Sequence, residues 1–396
     1  MLGHKKAQQL VRGQRLAISG ERLPVTGAIW FHAASVGEFE QARPLIERLR
    51  REQPAQPIVV TFFSPSGYEA RKDYPQADGV YYLPFATRRN AKRFLDALQP
   101  KMAIFVKYEF WPAYLRELKK RGIPTYSICA IFRPKQLFFR AWGKAHLNLL
   151  KCFTHLFVQD EASLALLNAH GQTNASVAGD TRFDRMQELR AQGIKELTHV
   201  AQFAEGAPRI IVAGSTWPDD EALLARYMQD QSEDRLCTKL ILVPHELDQK
   251  HLHYIFNLFR GRMVRYSAVS AMTDEVSSRN IMQRADILLV DTMGLLSSIY
   301  RFGHMAYVGG GFGVGIHNTI EAAAYGMPVV FGPNYSHFRE AQGLIEAGAA
   351  RSIKNYSELK AALDAALEQH EAIGAKAAHY VQSELGATDK IYKEIF

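Results

Sequence analysis

The stretch from Tyr307 to Pro333 reads YVGGGFGVGIHNTIEAAAYGMPVVFGP, and it decides the fold class of its half of the chain. An apolar strand pattern runs into a glycine-rich loop, a small-residue helix pattern begins at His317-Asn318, and a second apolar strand pattern follows. Glycines let a backbone approach a ligand closely, and a helix start offers unpaired N–H groups to an anion. The stretch therefore predicts half of a nucleotide or sugar-nucleotide site, with Glu321 in reach of ribose hydroxyls.

A structural interpretation of the same residues stays open. Asn318 and Glu321 have a spacing close to that of a capping box at a helix start. The glycines could also serve only to shape a tight turn.

Short apolar runs alternate with longer amphipathic segments along the whole chain. Many of the apolar runs are continuous Val, Ile, Leu and Phe, as expected for parallel strands that are buried on both faces. Helices are predicted between the strands, for instance over Glu38–Arg51 and Ser357–Leu367. The predicted strands are Ala28–Ala33, Ile58–Phe63, Val80–Leu83, Ala103–Val106, Thr125–Ala130, His155–Val158, Ala175–Ala178, Ile210–Ala213, Leu240–Val243, Met263–Tyr266, Ile287–Val290, Met305–Val308 and Val329–Phe331.

The length of 396 residues predicts two domains, because a single compact core rarely grows so large. A polar, charged stretch between Asp184 and Pro208 separates two series of strands and is the predicted boundary. We therefore expect an α/β protein with two Rossmann-like domains facing a cleft, over residues 1–190 and 205–396. Ligands of such sheets bind at the carboxyl ends of the strands, so the loops that follow strands are the candidates for chemistry.

The two halves differ in charge. Residues 1–185 hold 28 Lys and Arg against 15 Asp and Glu, a net of +13, whereas residues 186–396 hold 20 against 25, a net of −5. The basic half is expected to prefer a polyanion, either nucleic acid, an anionic membrane or a phosphorylated substrate. The alternative is a solvated basic surface without a partner.

The cysteines indicate the redox environment of the protein, and the lengths of the apolar runs bear on whether it could span a membrane. Cys129, Cys152 and Cys237 lie far apart without metal-ligand spacing, which is typical of reduced thiols in a cytoplasmic protein. No apolar run approaches the roughly 20 residues that a helix needs to cross a bilayer.

Two acidic residues follow predicted strands of the first half. Glu38 lies at the end of the loop after the first strand, where a carboxylate can act as a general base toward a hydroxyl. Ser35 and Glu38 also have the S-x-x-E spacing of a capping box. Glu109 follows the strand that ends at Val106, and it could either face Glu38 or belong to a simple helix start.

A cation, Arg182, follows the last strand of the basic half. It could neutralise a phosphate or a carboxylate. The alternative is a surface interaction with Asp180 or Asp184, which would contribute little.

Strand-end loops of the acidic half predict a donor nucleotide pocket. Gly214-Ser215-Thr216 is expected to open a helix and to bind phosphate. Pro244-His245-Glu246 and Asp291-Thr292-Met293-Gly294 follow two other strands. Together with the glycine-rich loop, these segments give the predicted nucleotide-binding residues: Gly214, Ser215, Thr216, Pro244, His245, Met293, Gly294, Leu295, Gly315, His317, Asn318 and Glu321.

The segment from Arg133 to Lys144 interleaves basic and aromatic residues. This mixture suits a membrane interface, where rings lie at headgroup level and cations meet lipid phosphate. The predicted membrane or acceptor contacts are Arg133, Lys135, Arg140 and Lys144. The alternative is an ordinary amphipathic helix with its aromatic residues in the core.

The motifs WFHAASVGE, YEFWP, AGDTRFD, AGST, DTMG and GIHNTIEAAAYGMPVVFGP, in this order, resemble those of the bacterial Kdo transferases, in which Kdo is 3-deoxy-D-manno-octulosonic acid. The resemblance implies a GT-B fold, CMP-Kdo as donor, lipid IVA (the lipid A precursor) as acceptor, and no tightly bound cofactor or metal. It also implies that Glu38 is the general base, that Glu109 is the acid of the E-x-W-P element, and that Arg182 replaces a lysine that stabilises the transition state. The family's CMP-binding elements fall on Pro244-His245, Met293–Leu295 and Asn318–Glu321.

The chain departs from this family in three places. The family often has Pro-Arg-His at Pro244-His245-Glu246 and Gly-Glu-Leu at Gly294-Leu295-Leu296, so two details of CMP binding differ. The family's usual N-terminal hydrophobic anchor is also missing from this sequence. We expect a protein at the cytoplasmic face of the inner membrane, peripheral or with its anchor removed, that binds an anionic membrane surface and no nucleic acid. The alternatives are a sugar-nucleotide epimerase of similar architecture and a non-enzymatic polyanion-binding protein.

Overall fold

The computed structural model describes residues 11, 13, 14, 25–140, 143–191, 196–233, 238–259, 261–313 and 315–396. The chain divides into two compact units. The first contains residues 1–185 and 384–396, and the second contains residues 186–383.

The first unit is built on a seven-stranded parallel sheet of order β3-β2-β1-β4-β5-β6-β7. Its strands are β1 Ile29–Ala33, β2 Ile58–Phe62, β3 Gly79–Tyr82, β4 Met102–Val106, β5 Thr125–Ala130, β6 His155–Val158 and β7 Ala175–Val177. Alternate residues of the central strand β1 enter opposite cores, since Trp30 packs with Phe105 and Tyr114 while Phe31 packs with Phe39. This burial on both faces is why the strand sequences are apolar throughout.

Helices cover both faces of this sheet. Ser35 caps the first of them, and proline occupies the first turn of the second and fourth, where its missing N–H costs no hydrogen bond. The helices are α1 Val36–Glu52, α2 Pro65–Arg71, α3 Arg88–Leu98, α4 Pro112–Lys120, α5 Lys144–Leu150, α6 Glu161–Ala169 and α7 Thr181–Ala191, with a short 3₁₀ helix at Leu137–Phe139.

The second unit repeats the plan with a parallel sheet of order β10-β11-β9-β8-β12-β13-β14. Its strands are β8 Arg209–Thr216, β9 Thr238–Pro244, β10 Met263–Arg265, β11 Ile287–Leu289, β12 Met305–Val308, β13 Val329–Phe331 and β14 Ala350–Ser352. The helices are α8 Thr198–Ala204, α9 Pro218–Glu233, α10 Gln249–Leu258, α11 Tyr266–Ser270, α12 Glu275–Arg284, α13 Leu296–Ile299, α14 Ile320–Ala324, α15 Arg339–Glu346, α16 Tyr356–Glu368 and α17 His370–Ser383, with a 3₁₀ helix at Tyr300–Phe302.

All thirteen predicted strands are present, and within the described residues one further strand was missed. Strand β14 consists of Ala350, Arg351 and Ser352, and Arg351 is exposed. It has no apolar run because it lies at the sheet edge and pairs only with β13.

The last helix, α18 over Ala387–Ile395, corrects the predicted domain limits. The observed boundary after Arg185 lies within the predicted linker, but residues 384–396 return to the first unit, so their assignment to the second domain was wrong. The Asp184 carboxylate accepts hydrogen bonds from the backbone N–H groups of Gly386 (2.7 Å) and Thr388 (2.6 Å). Ile391 packs in the core that contains Phe39. The sequence of an amphipathic helix does not indicate which of two sheets the helix will pack against.

Two further expectations can be compared with the described part of the chain. None of its helices combines the length and apolar character that a membrane span requires. Cys129 and Cys152 are free thiols, and Cys237 lies outside the described residues.

Candidate active site

The carboxyl ends of β1 and β4 lie side by side because these strands pair in the sheet. His32 near the end of β1 thereby meets Glu109 and Trp111 of the loop after β4, so side chains of two separate motifs come together. The Glu109 Oε2 atom lies 3.0 Å from His32 Nε2 and accepts a 2.6 Å hydrogen bond from the Trp111 indole N–H. Sequence reasoning missed His32 and Trp111 as site residues, although a histidine within the apolar run IWFHA was the available signal.

Glu38 is half-buried at the start of α1, and the capping box expected as an alternative is real. Its Oε2 atom accepts hydrogen bonds from the backbone N–H groups of Ala34 (2.6 Å) and Ser35 (3.3 Å). Burial and then the negative charge of Glu109 raise the pKa of Glu38, and together they outweigh the Ala34 hydrogen bond and the charges of Lys107 and His32. The helix cap therefore fixes the position of a carboxylate that holds a proton more tightly than an ordinary glutamate.

Arg182 meets Asp180, but the pair is buried rather than on the surface. The guanidinium donates to Asp180 Oδ2 from Nη2 (2.7 Å) and from Nε (3.0 Å), and Asp180 exposes only 2% of its side chain. Burial alone would raise the pKa of Asp180, but the charge and hydrogen bonds of Arg182 with the charge of Lys107 bring it to about 2. Removing one partner of such a pair would leave a buried charge, so the interaction is more than a surface contact.

Lys107 is a second cation of this site and was not predicted. It directly follows β4 with a left-handed φ of 54°. A non-glycine residue tolerates this conformation only where its surroundings enforce it. Its positive charge lowers the pKa of both Glu38 and Asp180, so it lies in the field of both carboxylates.

In the second unit, a buried carboxylate holds the glycine-rich loop. Asp220 accepts hydrogen bonds from the Gly310 N–H (2.9 Å), the Tyr307 hydroxyl (2.7 Å) and the Trp217 N–H (3.0 Å). A Cβ atom on Gly311 would lie 2.6 Å from the Cα of Gly332. At least part of the glycine pattern is therefore demanded by backbone packing.

The helix after this loop begins later than predicted. Helix α14 covers only five residues and starts at Ile320, not at His317-Asn318. The Asn318 side chain accepts from the Ile320 N–H (3.1 Å) and donates to a Glu321 carboxylate oxygen (2.9 Å). The local contact between Asn318 and Glu321 is thus present, and the ribose contact of Glu321 stays a prediction.

The segment Gly214-Ser215-Thr216 does not open a helix. Strand β8 continues through Thr216 and α9 begins at Pro218. The prediction failed because these residues extend the sheet: a Cβ on Gly214 would meet the Tyr300 hydroxyl at 2.4 Å, and the buried Thr216 hydroxyl donates to Glu221 at 2.9 Å. Ser215 has a left-handed φ of 54° at the strand end.

Three aromatic rings stack at the carboxyl ends of β8 and β9 and beside the glycine-rich loop. The His245 ring stacks on both Trp217 (centroid distance 4.8 Å) and His317 (4.4 Å). The Trp217 indole N–H donates to His317 Nε2 at 3.1 Å. Burial and then the charge of His245 lower the pKa of His317 to about 4. His317 is therefore neutral near physiological pH, with its hydrogen on Nδ1.

The remaining predicted nucleotide contacts differ in exposure. Pro244 is the last residue of β9 and Leu295 is buried, whereas Met293 exposes 77% of its surface. Gly294 has a positive φ of 78°, and Gly315 has one of 137°, which accounts for glycine at both positions.

Residues 133–140, the described part of the basic segment, do not form the amphipathic helix considered above. Its aromatic residues Phe138 and Phe139 lie in the short 3₁₀ helix and pack against Phe132, which favours the core interpretation for the rings. Lys135 and Arg140 are exposed.

The first residue of this segment contacts the loop that carries Glu109. The Arg133 guanidinium donates to the Tyr108 hydroxyl at 3.2 Å, next to Glu109 in the chain. Residues 141 and 142 and the Lys144 side chain lie outside the described part of the structure.

Across the described residues no group of three or more His, Cys, Asp or Glu side chains could hold a metal ion.

The sequence of this chain is similar to those of known transferases. Residues 7–185 match the family model described as 3-deoxy-D-manno-octulosonic-acid transferase (kdotransferase). The chain is 26% identical to the 3-deoxy-D-manno-octulosonic acid transferase of Bordetella pertussis, over 96% of this chain and 90% of the relative. It is 28% identical to the enzyme of that name from Haemophilus influenzae, over 88% and 81%. The chain is a Kdo transferase homologue.

Solved structures confirm the fold class. The UDP-GlcNAc 2-epimerase of Neisseria meningitidis aligns over 92% of this chain and 98% of its own with a TM-score of 0.63 and 15% identity. The calicheamicin glycosyltransferase CalG4 aligns over 93% and 97% with a TM-score of 0.55 and 13% identity. The homologue therefore has the two parallel-sheet α/β domains of GT-B glycosyltransferases and related epimerases, and its sequence relatives identify it as a glycosyltransferase.

The glycine-rich loop of this Kdo transferase homologue offers a matched test of packing. Gly311→Ala should lower the melting temperature of the second unit by several degrees, because overpacking typically costs about 1–3 kcal/mol. Gly313→Ala should change it little, since its nearest contact would be the Gly310 carbonyl oxygen at 3.7 Å. Calorimetry of both variants measures the difference. Equal melting temperatures would show that the close approach of Gly311 to Gly332 does not constrain the loop.

The charge of Lys107 should be visible in the titration of Glu38. Lys107→Met should raise the pKa of Glu38, because the lost positive charge had favoured the ionised carboxylate. Lys107→Arg keeps the charge and is the control. Carbon-13 NMR of labelled glutamate carboxyl groups against pH gives the midpoint in each variant. An unchanged midpoint in Lys107→Met would place Lys107 outside the field of Glu38.

Proposed function

We propose that this chain transfers Kdo from CMP-Kdo to the lipid A precursor lipid IVA, as an inverting glycosyltransferase of lipopolysaccharide core synthesis. The observation that carries the proposal is the half-buried Glu38 carboxylate, which is held by the backbone N–H groups of Ala34 and Ser35 and has its pKa raised by burial and by the charge of Glu109. The names of the sequence relatives supply Kdo as the transferred sugar.

Glu38 is the proposed general base. It takes the proton of the acceptor hydroxyl while the hydroxyl oxygen forms a bond to the anomeric carbon of Kdo. The bond from that carbon to the CMP phosphate oxygen breaks, and its electron pair leaves with CMP. A carboxylate whose pKa is raised toward the working pH is a stronger base for this step than an ordinary glutamate.

The anionic groups of the substrates need cations near Glu38. Kdo carries a carboxylate and lipid IVA carries phosphates, so the Lys107 ammonium is a suitable partner beside Glu38 and Asp180. Asp180 holds Arg182 in a fixed orientation. In this proposal the positive charge of Arg182 helps to position the anionic substrates.

The second unit is proposed to bind CMP-Kdo. The Nδ1–H of neutral His317 can donate to the CMP phosphate as charge develops on it, while the Trp217 contact fixes the imidazole tautomer. Ser215, His245, Gly315 and Glu321 are further proposed contacts of the nucleotide. The reaction as proposed uses no cofactor besides the donor.

Replacing the proposed base gives the direct test. Glu38→Gln should lower the transfer rate by about 100- to 10,000-fold, the usual effect of losing a general base. The matched control is Glu52→Gln, which removes a carboxylate from the far end of the same helix.

The assay incubates the protein with CMP-Kdo and lipid IVA and measures the mass added to the lipid. A folded Glu38→Gln variant with near wild-type turnover would remove Glu38 from the mechanism. A wild-type protein that adds no Kdo but interconverts a UDP-sugar would favour the epimerase alternative.

We also propose that the protein works at the cytoplasmic face of the inner membrane, with the exposed Lys135 and Arg140 near anionic lipid. Reversing both to Glu should weaken binding to phosphatidylglycerol vesicles by at least about tenfold, since each basic residue near such a surface contributes about 1 kcal/mol. Reversing Arg284 and Lys354, two exposed basic residues of the second unit, is the control. Co-sedimentation with the vesicles at rising salt concentration measures the binding. Binding that depends neither on lipid charge nor on Lys135 and Arg140 would contradict the membrane role.

A further inference from the structure

Helix α3 turns a row of cations toward solvent. Its buried side contributes Phe94 and Leu95 to the core of the first unit. The single acidic residue of the helix, Asp96, has its Oδ1 atom 2.9 Å from Nη2 of Arg121. The four basic residues of the first two turns are all exposed and form the basic face of α3: Arg88, Arg89, Lys92 and Arg93.

This arrangement of charge opposes the stability of the helix. The first turn holds no acidic residue, although the helix dipole favours carboxylates there and disfavours cations such as Arg88 and Arg89. Lys92 and Arg93 follow these two arginines at a spacing of four, where like charges also destabilise a helix. A local rule broken in this way indicates that the cations serve a purpose other than folding.

An exposed aromatic ring precedes the basic face on a backbone that is held in place. Phe85 exposes 46% of its surface. Its carbonyl oxygen accepts hydrogen bonds from the Thr87 N–H (2.7 Å) and the Asn90 side chain (3.0 Å). The carbonyl oxygen of Pro84 accepts the hydroxyl of the buried Tyr114 at 2.8 Å. The ring is therefore exposed at a fixed place beside the cations.

The loop that carries Phe85 lies at the same edge of the sheet as Glu38. Tyr82 at the end of β3 pairs in register with Phe62 of β2, which pairs in register with Ala33 of β1. Adjacent strands are about 4.8 Å apart, so the end of β3 lies about 10 Å from the end of β1. Because the loop with Glu38 follows β1, the exposed ring and the proposed base share one edge.

The basic segment 133–140 lies at this edge too, on the other side of β1. It follows β5, which is parallel to the other strands. Its rings Phe138 and Phe139 pack against the same core as Phe94 of α3. Both basic segments therefore cover one face of the sheet and flank the loop of Glu38.

We propose that the basic face of α3 and Phe85 form a surface by which the first unit docks on an anionic lipid bilayer. The cations contact lipid phosphates, and the Phe85 ring lies among the headgroups. An anionic surface offsets both the dipole cost and the like-charge repulsion of the helix. Single-stranded nucleic acid is bound by several rings that stack successive bases, whereas this surface sets many cations around one ring, which favours lipid.

The place of this surface bears on the proposed transfer, and this part of the inference rests on the proposed function. Docking through α3 brings the carboxyl edge of the first sheet, with Glu38, to the bilayer. The acceptor hydroxyl of a lipid then reaches Glu38 while its acyl chains stay in the membrane.

Charge reversal separates docking from folding. Arg88→Glu combined with Arg89→Glu places carboxylates in the first turn of α3, so the melting temperature should rise by a few degrees. Binding to phosphatidylglycerol vesicles should fall at least about tenfold, since each cation near such a surface contributes about fivefold. The control combines Lys250→Glu with Lys354→Glu at two exposed lysines of the second unit and should bind as the wild type does.

Phe85→Trp tests the place of the ring. Brominated phosphatidylglycerol quenches tryptophan fluorescence at short range, and the wild-type protein supplies the signal of the native tryptophans. We expect the added indole to be quenched when vesicles are bound. Phe256→Trp, at a phenylalanine of the second unit that is 56% exposed, is the matched control and should show no added quenching. Equal quenching in the two variants, or none in either, would overturn the proposal.

Two other results would also overturn it. Vesicle binding that survives the reversal of Arg88 and Arg89 but is lost on reversal of Lys135 and Arg140 would make segment 133–140 the membrane contact. Binding of an oligonucleotide through Arg88 and Arg89, without binding of vesicles, would replace lipid as the partner.

The proposed function is tested separately with lipid IVA dispersed in an uncharged detergent, where docking is not needed. The variant with Arg88 and Arg89 reversed should keep its transfer rate there. A wild-type protein that adds no Kdo in detergent would count against the proposed function, while vesicle binding and quenching would still decide whether α3 docks on lipid.

Discussion

Parallel strand pairing is the constraint on which both units of this protein depend. Each strand of both sheets is hydrogen-bonded in parallel to its neighbours, so the carboxyl ends of all strands in a sheet lie along one edge. Apolar residues fill both faces, and the polar groups that follow the strands are left at that edge. This is why Glu38 and Glu109, from two loops far apart in the chain, share one site, and why Trp217, His245 and His317 can stack.

Buried carboxylates hold these edges in place. Asp180 accepts hydrogen bonds from Arg182, and Asp220 accepts one from the backbone of the glycine-rich loop. Glu221 is hydrogen-bonded to the Thr216 hydroxyl (2.9 Å) and to the His251 ring (2.9 Å). A buried carboxylate is costly unless several donors satisfy it, so each one defines the backbone and side chains around it. These buried carboxylates keep the proposed ligand-binding groups in fixed positions, as a preorganised catalytic site requires.

The electrostatics of the first unit follow from charges of both signs at short range. Burial and Glu109 favour the protonated form of Glu38, while Lys107 and His32 favour the ionised form. A site with only acidic residues would repel the carboxylate and phosphates of the proposed substrates, and a site with only cations would weaken Glu38 as a base. The mixture can hold an anionic substrate and still accept a proton from its partner.

The sequence by itself determined thirteen of the fourteen described strands, the two-unit α/β architecture and the motifs, because apolar continuity and turn residues are local properties. Val329–Phe331 and Ile287–Leu289 could be read directly from their residues. The tertiary structure alone decided what each motif residue does. Only pairing of β1 with β4 brought His32 to Glu109, and only the extension of β8 through Thr216 moved the start of the predicted helix to Pro218. It also decided that residues 384–396 return to the first unit, because the backbone N–H groups of Gly386 and Thr388 find Asp184 across a sequence separation that no local pattern records.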